Sequence, residues 1–238
     1  MGAVMLDSAR TAWPEIDAAR GLIALLPVGA LEQHGPHLPL DTDTVLATGV
    51  ARRIATEIGG WLLPAIGYGE AWSAEDWPGT ISLSAETLQR TIENIARGVK
   101  RIGCVGLVTV NGHFGNRAPI ARARLGLPAL HLDYPGLDEA AAEFCTSKPA
   151  GDGFYHADEV ETSMMLALAP EAVRMDKAVA EYPTFPPEFG REPMQLRSFN
   201  SSGVFGDPRP ATAATGEKII ARVVAESVGQ IEDWRRTL

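Results

Sequence analysis

A chain of 238 residues with 45% apolar and 21% charged side chains has an ordinary globular balance and enough apolar material for one large domain. The net charge of −9 comes from interspersed acids and bases, which argues against the basic face that a nucleic-acid binder presents. Two cysteines cannot form a disulfide framework, no apolar run is long enough for a bilayer span, and MGAVMLDSARTAW lacks a signal-peptide core, so a cytoplasmic protein is expected.

The run Gly21–Val28 (GLIALLPV) is short and almost continuously apolar, the pattern of a strand buried on both faces. Beyond a polar stretch, TVLATGVARRIATEIG has helical spacing, with Asp43 or Thr44 placed to cap it. GWLLPAI reads as a second strand, and Gly67–Thr80 as a loop. SAETLQRTIENIARGVKRIG reads as an amphipathic helix with Ser84 as its cap and a stop at Gly103. VGLVTV follows as a third strand, with Cys104 just before it as a buried free thiol, and ALHL near Ala129 as a fourth. DEVETSMMLALAP is helical up to Pro170, Tyr182–Pro193 is a Pro-rich loop or flap, and GEKIIARVVAESVGQIEDWRR closes the chain as a helix. Alternating strands and helices, without repeats or low-complexity linkers, predict one α/β domain over residues 1–238: a three-layer arrangement with a mainly parallel sheet flanked by helices. Such sheets bind ligands beyond the carboxyl ends of their strands.

Three segments hold nearly all the reactive side chains. EQHGPHLPLDTD (Glu32–Asp43) follows the first strand and crowds Glu32, His34, His37, Asp41 and Asp43 around a glycine and two prolines. Glutamate, histidine and aspartate suit Zn²⁺, Mn²⁺ or Fe²⁺, and no cysteine competes for a softer site. In an extended segment Glu32 and His34 project to the same side, and Asp43 could offer one oxygen to each of two metals. The bland alternative is a polar surface loop. NGHFGN after the third strand turns sharply at Asn111-Gly112 and exposes His113, while Gly115 clears bulk beside it. HADEVETS brings His156 and Glu161 to a helix start, where Asp158 and Glu159 read as helix stabilisers. His131 lies outside these segments and reads as a satisfied histidine at a strand end.

LPVGALEQHGPHLPLDTD, WPGTISLSAETL, VNGHFGN, HADEVETSMML and GVFGDPRPATAATGEKI, in this order, resemble the motifs of the creatininase (creatinine amidohydrolase) family. The resemblance implies a two-metal centre with Glu32, His34, Asp43, His113 and Glu161 as ligands, Asp43 as the bridge, and His156 as the residue assisting proton transfer. It implies two divalent ions per subunit, Zn²⁺ first and Mn²⁺ or Fe²⁺ as alternatives, and a homo-oligomer with a hexamer favoured. Where creatininase itself has an aromatic residue and then a glutamate after the metal-binding histidine, this chain has Phe114 and Gly115, so Glu161 is expected to supply the missing carboxylate. His37 and Asp41 are left to fix the loop.

The activity expected is cleavage of a C–N bond in a cyclic or related small amide by a metal-activated water, with His156 and Glu161 as the catalytic pair. Trp72, Trp77 and Phe114 are candidates to wall the pocket. The rival substrates are a formamide on a nucleotide-like intermediate, for which Arg117, Arg122 and Arg124 would supply cations, and a peptide trimmed as the mycofactocin precursor is. A non-catalytic metal-binding assembly protein is the rival of another class. Neither nucleic acid nor a membrane is an expected partner.

Overall fold

In the computed structural model, which describes residues 5–238, five strands form one sheet: β1 (Leu6–Asp7), β2 (Ile23–Val28), β3 (Trp61–Leu62), β4 (Gly106–Asn111) and β5 (Ala129–Leu132). The first residues of the segment inspected for a leader lie outside the described residues. The strand order is β1-β3-β2-β4-β5 and every pairing is parallel. β2 and β4 are buried along their whole length, in register from Ile23 opposite Gly106 to Val28 opposite Asn111. The extended reading of GWLLPAI shortens to two residues, because Pro64 has no N–H to continue the ladder toward β1 and Pro27 has none to donate to it from β2. Contact with β2 resumes only at Val28 and Ile66.

Among the described residues six α-helices accompany the sheet: α1 (Thr42–Ile58), α2 (Ala85–Ile102), α3 (Arg117–Arg122), α4 (Leu137–Phe144), α5 (Glu159–Leu168) and α6 (Ala213–Arg235). Side chains alternate across β2, so Ile23 and Leu25 join one core while Ala24, Leu26 and Val28 join the other. The first core packs Leu46, Val50 and Ile54 of α1 with Val160 and Met164 of α5 and Ile219 and Val223 of α6. The second packs Leu88, Ile92, Ala96 and Val99 of α2 with Ile120 of α3. The sheet is therefore the middle of three layers.

Local chemistry explains the ends of the long helices. Ser84 accepts the Thr87 N–H at the start of α2, and Gly103, with φ of 101°, terminates it in the left-handed region. Asp41, not Asp43 or Thr44, occupies the cap position of α1, and it makes no side-chain cap bond. Asp43 lies in the first turn, where its carboxylate serves histidines rather than backbone. α3 and α4 are too short to show a helical period in the sequence, as is the 3-10 segment Trp13–Ala19.

The Pro-rich stretch 182–193 contains no helix or strand, and it is pinned by its aromatics. Phe185 and Phe189 pack with Phe154, Phe199 and Phe205, with Trp77 in the same cluster. No helix among the described residues is long and apolar enough to cross a membrane.

The topology also determines where a ligand fits. From β2 the chain crosses one face through α1 to β3; it then returns over the other face through α2 to β4, on the far side of β2. The crevice outside the carboxyl ends of β2 and β4 is thus the switch point of the sheet. Residues 29–43 and 112–116 leave the strands there.

Candidate metal centre

The loop after β2 is tied down by its backbone. Glu32 N–H donates to Leu40 C=O at 2.9 Å, Gln33 N–H donates to Thr80 Oγ1 at 3.0 Å, and Ile81 N–H donates to Leu31 C=O. The loop after β4 is held by two asparagines. Asn111 Nδ2 donates to His113 C=O and to the Asp133 carboxylate, and Asn116 Nδ2 donates to Gly29 C=O. Both loops then close on α1. A Cβ at Gly112 would stand 2.5 Å from the Asp43 carbonyl, so this approach requires glycine.

Five buried or nearly buried side chains converge. Asp43 Oδ1 lies 3.0 Å from His34 Nε2, and Asp43 Oδ2 lies 3.1 Å from His113 Nδ1. Glu32 Oε2 is 2.9 Å from His113 Nδ1, and Glu161 Oε2 is 3.7 Å from His34 Nε2. Two groups with metal-ligand spacing result, Glu32–Asp43–His113 and His34–Asp43–Glu161, and they share Asp43. The sequence-stated candidates Glu32, His34, Asp43, His113 and Glu161 are all in these two groups.

The histidine tautomers are set from outside. His34 Nδ1–H donates to the Glu32 backbone carbonyl at 3.1 Å, and His113 Nε2–H donates to the Glu70 carbonyl at 2.8 Å. A carbonyl only accepts, so in each neutral ring the nitrogen facing the carboxylates is left with its lone pair. Glu32 Oε2, His34 Nε2 and Asp43 Oδ2 are buried and make no hydrogen bond. Lone pairs facing lone pairs need a positive charge between them, and the borderline N/O donor set suits a divalent cation such as Zn²⁺ or Mn²⁺.

With no cation, protons take that place. Burial would lower the His34 pKa, but Asp43, Glu161 and Glu32 push it up to about 10. His113 is raised well above its ordinary value in the same way, burial being outweighed by Glu32 and Asp43. Burial would raise the Asp43 carboxyl, yet His34 and His113 hold it well below the usual range. Glu161 goes the other way: burial, with Asp43 and Asp158 nearby, raises it to about 8 against the pull of His34.

A third group, Glu32–His34–His156, also has ligand spacing. The His156 ring packs on His34 at 4.4 Å between centroids, and its pKa is lowered to about 4 by burial and by His34. Its Nε2, however, is 2.7 Å from Gln33 Nε2. The orientation of the Gln33 amide is set by two backbone groups, since its Oε1 accepts Gly35 N–H and its Nε2 donates to Gly203 C=O. The His156 Nε2 lone pair is therefore taken by an N–H, and the ring proton sits on Nδ1.

The remaining candidates lie around this centre. His37 Nε2 bonds Thr162 Oγ1 at 2.9 Å, which ties the loop to α5, and burial lowers its pKa to about 4. Asp41 is exposed at the start of α1. Asp158 caps α5 by accepting Val160 and Glu161 N–H. Glu159 does more than stabilise a helix end: its buried carboxylate accepts Thr146 and Ser147 N–H. His131 pairs with Thr109 Oγ1 at 2.9 Å, and Cys104 is a buried free thiol. Trp77 belongs to the aromatic cluster, Trp72 is 40% exposed, and Phe114 is 62% exposed beside His113.

Sequence reasoning passed over Gln33, Glu70 and Tyr134. Gln33 lay inside the quoted motif, and Tyr134 follows β5 at the active edge of the sheet, so both had a positional signal. Glu70 had none, because its carbonyl is what His113 uses. Gly115 clears room for that carbonyl rather than for a ligand: a Cβ there would stand 1.9 Å from Glu70 O.

The family model described as creatinine amidohydrolase matches residues 9–231. A mycofactocin precursor peptide peptidase of Mycobacterium ulcerans (strain Agy99) is 37% identical over 237 residues, covering 93% of this chain and 86% of the relative. A creatinine amidohydrolase of Pseudomonas putida is 33% identical over 233 residues, covering 87% and 89%. The solved structure "Creatininase Mn" superposes with a TM-score of 0.86 at 28% identity, covering 96% of this chain and 98% of that one. On sequence, sheet and helical layers alike, the chain belongs to the creatininase family of hydrolases.

Proposed function

We propose that the protein is a metal-dependent hydrolase of an amide C–N bond, acting as a single domain over residues 1–238 on a cyclic or related small amide that is not a peptide. The observation that carries this reading is the pair of ligand groups sharing Asp43, whose buried lone pairs have no other partner. Glu32, Asp43 and His113 would hold one divalent ion, and His34, Asp43 and Glu161 the other, with Zn²⁺ first and Mn²⁺ as the alternative. Glu161 would replace the carboxylate missing at Gly115.

A filled centre of this kind supplies a water acidified toward neutral pH and a polarised carbonyl. The chain's residues do the rest. Asp43 spans the two groups, and the Glu32 and Glu70 carbonyls keep both imidazoles aimed inward. His156, kept neutral by burial, would take up a proton at Nε2 once the Gln33 N–H moves off that atom, and pass it to the leaving nitrogen, which departs poorly as an unprotonated anion. The cavity of about 70 Å³ lined by His113, Glu161 and Tyr134 suits a small polar group.

Peptide trimming is the second reading, favoured by the 37% identity to the mycofactocin precursor peptidase. The phosphorylated-nucleotide reading lacks support from this site. Arg117 is already paired with Asp133, and Arg122 and Arg124 are exposed. A homo-oligomeric, cytoplasmic enzyme fits the family membership. The test is a hydrolysis screen of zinc- and manganese-loaded protein against creatinine, an N-formyl arylamine and short peptides, with His156→Ala and Glu32→Gln alongside. Metal-dependent turnover lost in both variants is expected; equal turnover by the metal-free protein would refute the reading.

A further inference from the structure

One buried polar group beside the centre has no partner in the chain. Tyr134 follows β5 with φ of 50°, a left-handed backbone that a bulky side chain enters only at a cost. It is held there between Asp133, which accepts Asn111 Nδ2 and pairs with Arg117, and Pro135. The turn directs the phenol toward the carboxyl edge of the sheet. Its hydroxyl oxygen is buried and makes no hydrogen bond among the described residues. It sits 3.1 Å from where a Cβ on Gly112 would be, a point itself 2.5 Å from the Asp43 carbonyl. The ring lines the same small cavity as His113 and Glu161.

The other donors on this wall are taken. The Asn111 amide is used by His113 C=O and Asp133, and the Arg117 guanidinium faces Asp133 and the Phe114 ring. A phenol keeps its proton at neutral pH, so Tyr134 remains as a neutral O–H donor next to a centre that otherwise presents acceptors. A buried hydroxyl without a partner costs free energy that a ligand oxygen would return.

We propose that the Tyr134 hydroxyl donates a hydrogen bond to an anionic oxygen of the ligand bound at the Asp43 centre: the oxyanion that forms from an amide carbonyl on hydrolysis, or its stable mimic. The inference rests on the metal-centre reading above. It makes Tyr134 a catalytic residue of the hydrolysis, stabilising charge as it develops.

The probe is acetohydroxamate, a small oxyanion ligand for zinc centres, titrated calorimetrically into zinc-loaded wild type and Tyr134→Phe. Zinc content and the melting temperature of the metal-free proteins are measured beside it. The expected result is affinity weaker by about ten-fold or more in Tyr134→Phe, the size of a lost hydrogen bond to a charged oxygen, with zinc content unchanged. The melting temperature should hold or rise, since only an unpaired hydroxyl is removed. Equal acetohydroxamate affinity in the two proteins would overturn the inference alone. A melting temperature several degrees lower would also overturn it, by showing that the hydroxyl serves the fold. Wild type that takes up no zinc would overturn the metal-centre reading, and the inference with it.

Discussion

Replacing Gly115 with alanine isolates the support behind His113. The new Cβ would stand 1.9 Å from Glu70 O, 2.8 Å from His113 Nε2 and 2.9 Å from Glu70 Oε2. Side-chain motion can relieve the last of these, but the first is backbone. The Glu70 carbonyl must retreat by more than about 1 Å to reach van der Waals contact. That stretches the 2.8 Å bond from His113 Nε2–H beyond bonding distance. Losing it frees the ring to rotate or change tautomer and leaves a donor and an acceptor unsatisfied, at a cost of about 1–3 kcal/mol in the metal-free protein. Outer partners of a metal-binding histidine set affinity, so zinc binding should weaken about 10- to 100-fold. Zinc affinity is read by competition with a chromogenic chelator, and stability by urea unfolding. Gly98→Ala is the control: Gly98 lies within α2, with nothing within 4 Å of its Cβ position, so it should gain about 0.5–1 kcal/mol and leave zinc affinity alone. Unchanged zinc affinity in Gly115→Ala would refute the claim that the Glu70 carbonyl positions His113.

Three further outcomes follow from the same geometry. Asp43→Asn should lose both metals by elemental analysis, whereas Glu32→Gln and Glu161→Gln should each lose about one, because only Asp43 serves both groups; full occupancy in Asp43→Asn would contradict this. The folded pKa of His34, about 10, lies above its ordinary 6.5, so its pairing stabilises the metal-free fold fully below that ordinary value and ceases to do so as pH rises through about 10. Since His113 is raised too and Glu161 is raised to about 8, filling the centre near pH 7.5 should expel between about two and three protons per chain, seen with an indicator dye in weak buffer, and affinity should rise with pH; no proton release would disprove the assigned protonation. Glu159→Gln should lower stability by about 1–3 kcal/mol in urea unfolding while leaving metal content intact, because it disturbs a buried acceptor of Thr146 and Ser147 N–H; an unchanged midpoint would show the anchor to be idle.

Much of the architecture was legible because its signals are local. β2 and β4 are short apolar runs, and α2 announces itself through a serine cap, a four-residue apolar spacing and a terminal glycine. The candidate ligands were legible too, since Glu32, His34 and Asp43 lie within one stretch and His113 directly follows a strand. α3 and α4 were not, being six and eight residues long, too few for a helical period to emerge.

By itself the sequence determined which atoms are available: carboxylates and imidazoles in rigid loops, placed at strand ends that a parallel sheet brings to one edge. Only the tertiary structure decided how they face one another. It divided Asp43 between two histidines, brought Glu161 across from α5, and set Gln33 against His156, 123 residues away. The Glu70 carbonyl shows why such partners cannot be read in advance: every residue carries a carbonyl, so nothing in the side chain marks the one that will orient His113. Its choice depends on two crossover connections folding over opposite faces of the sheet, and that is a property of the whole chain packed together.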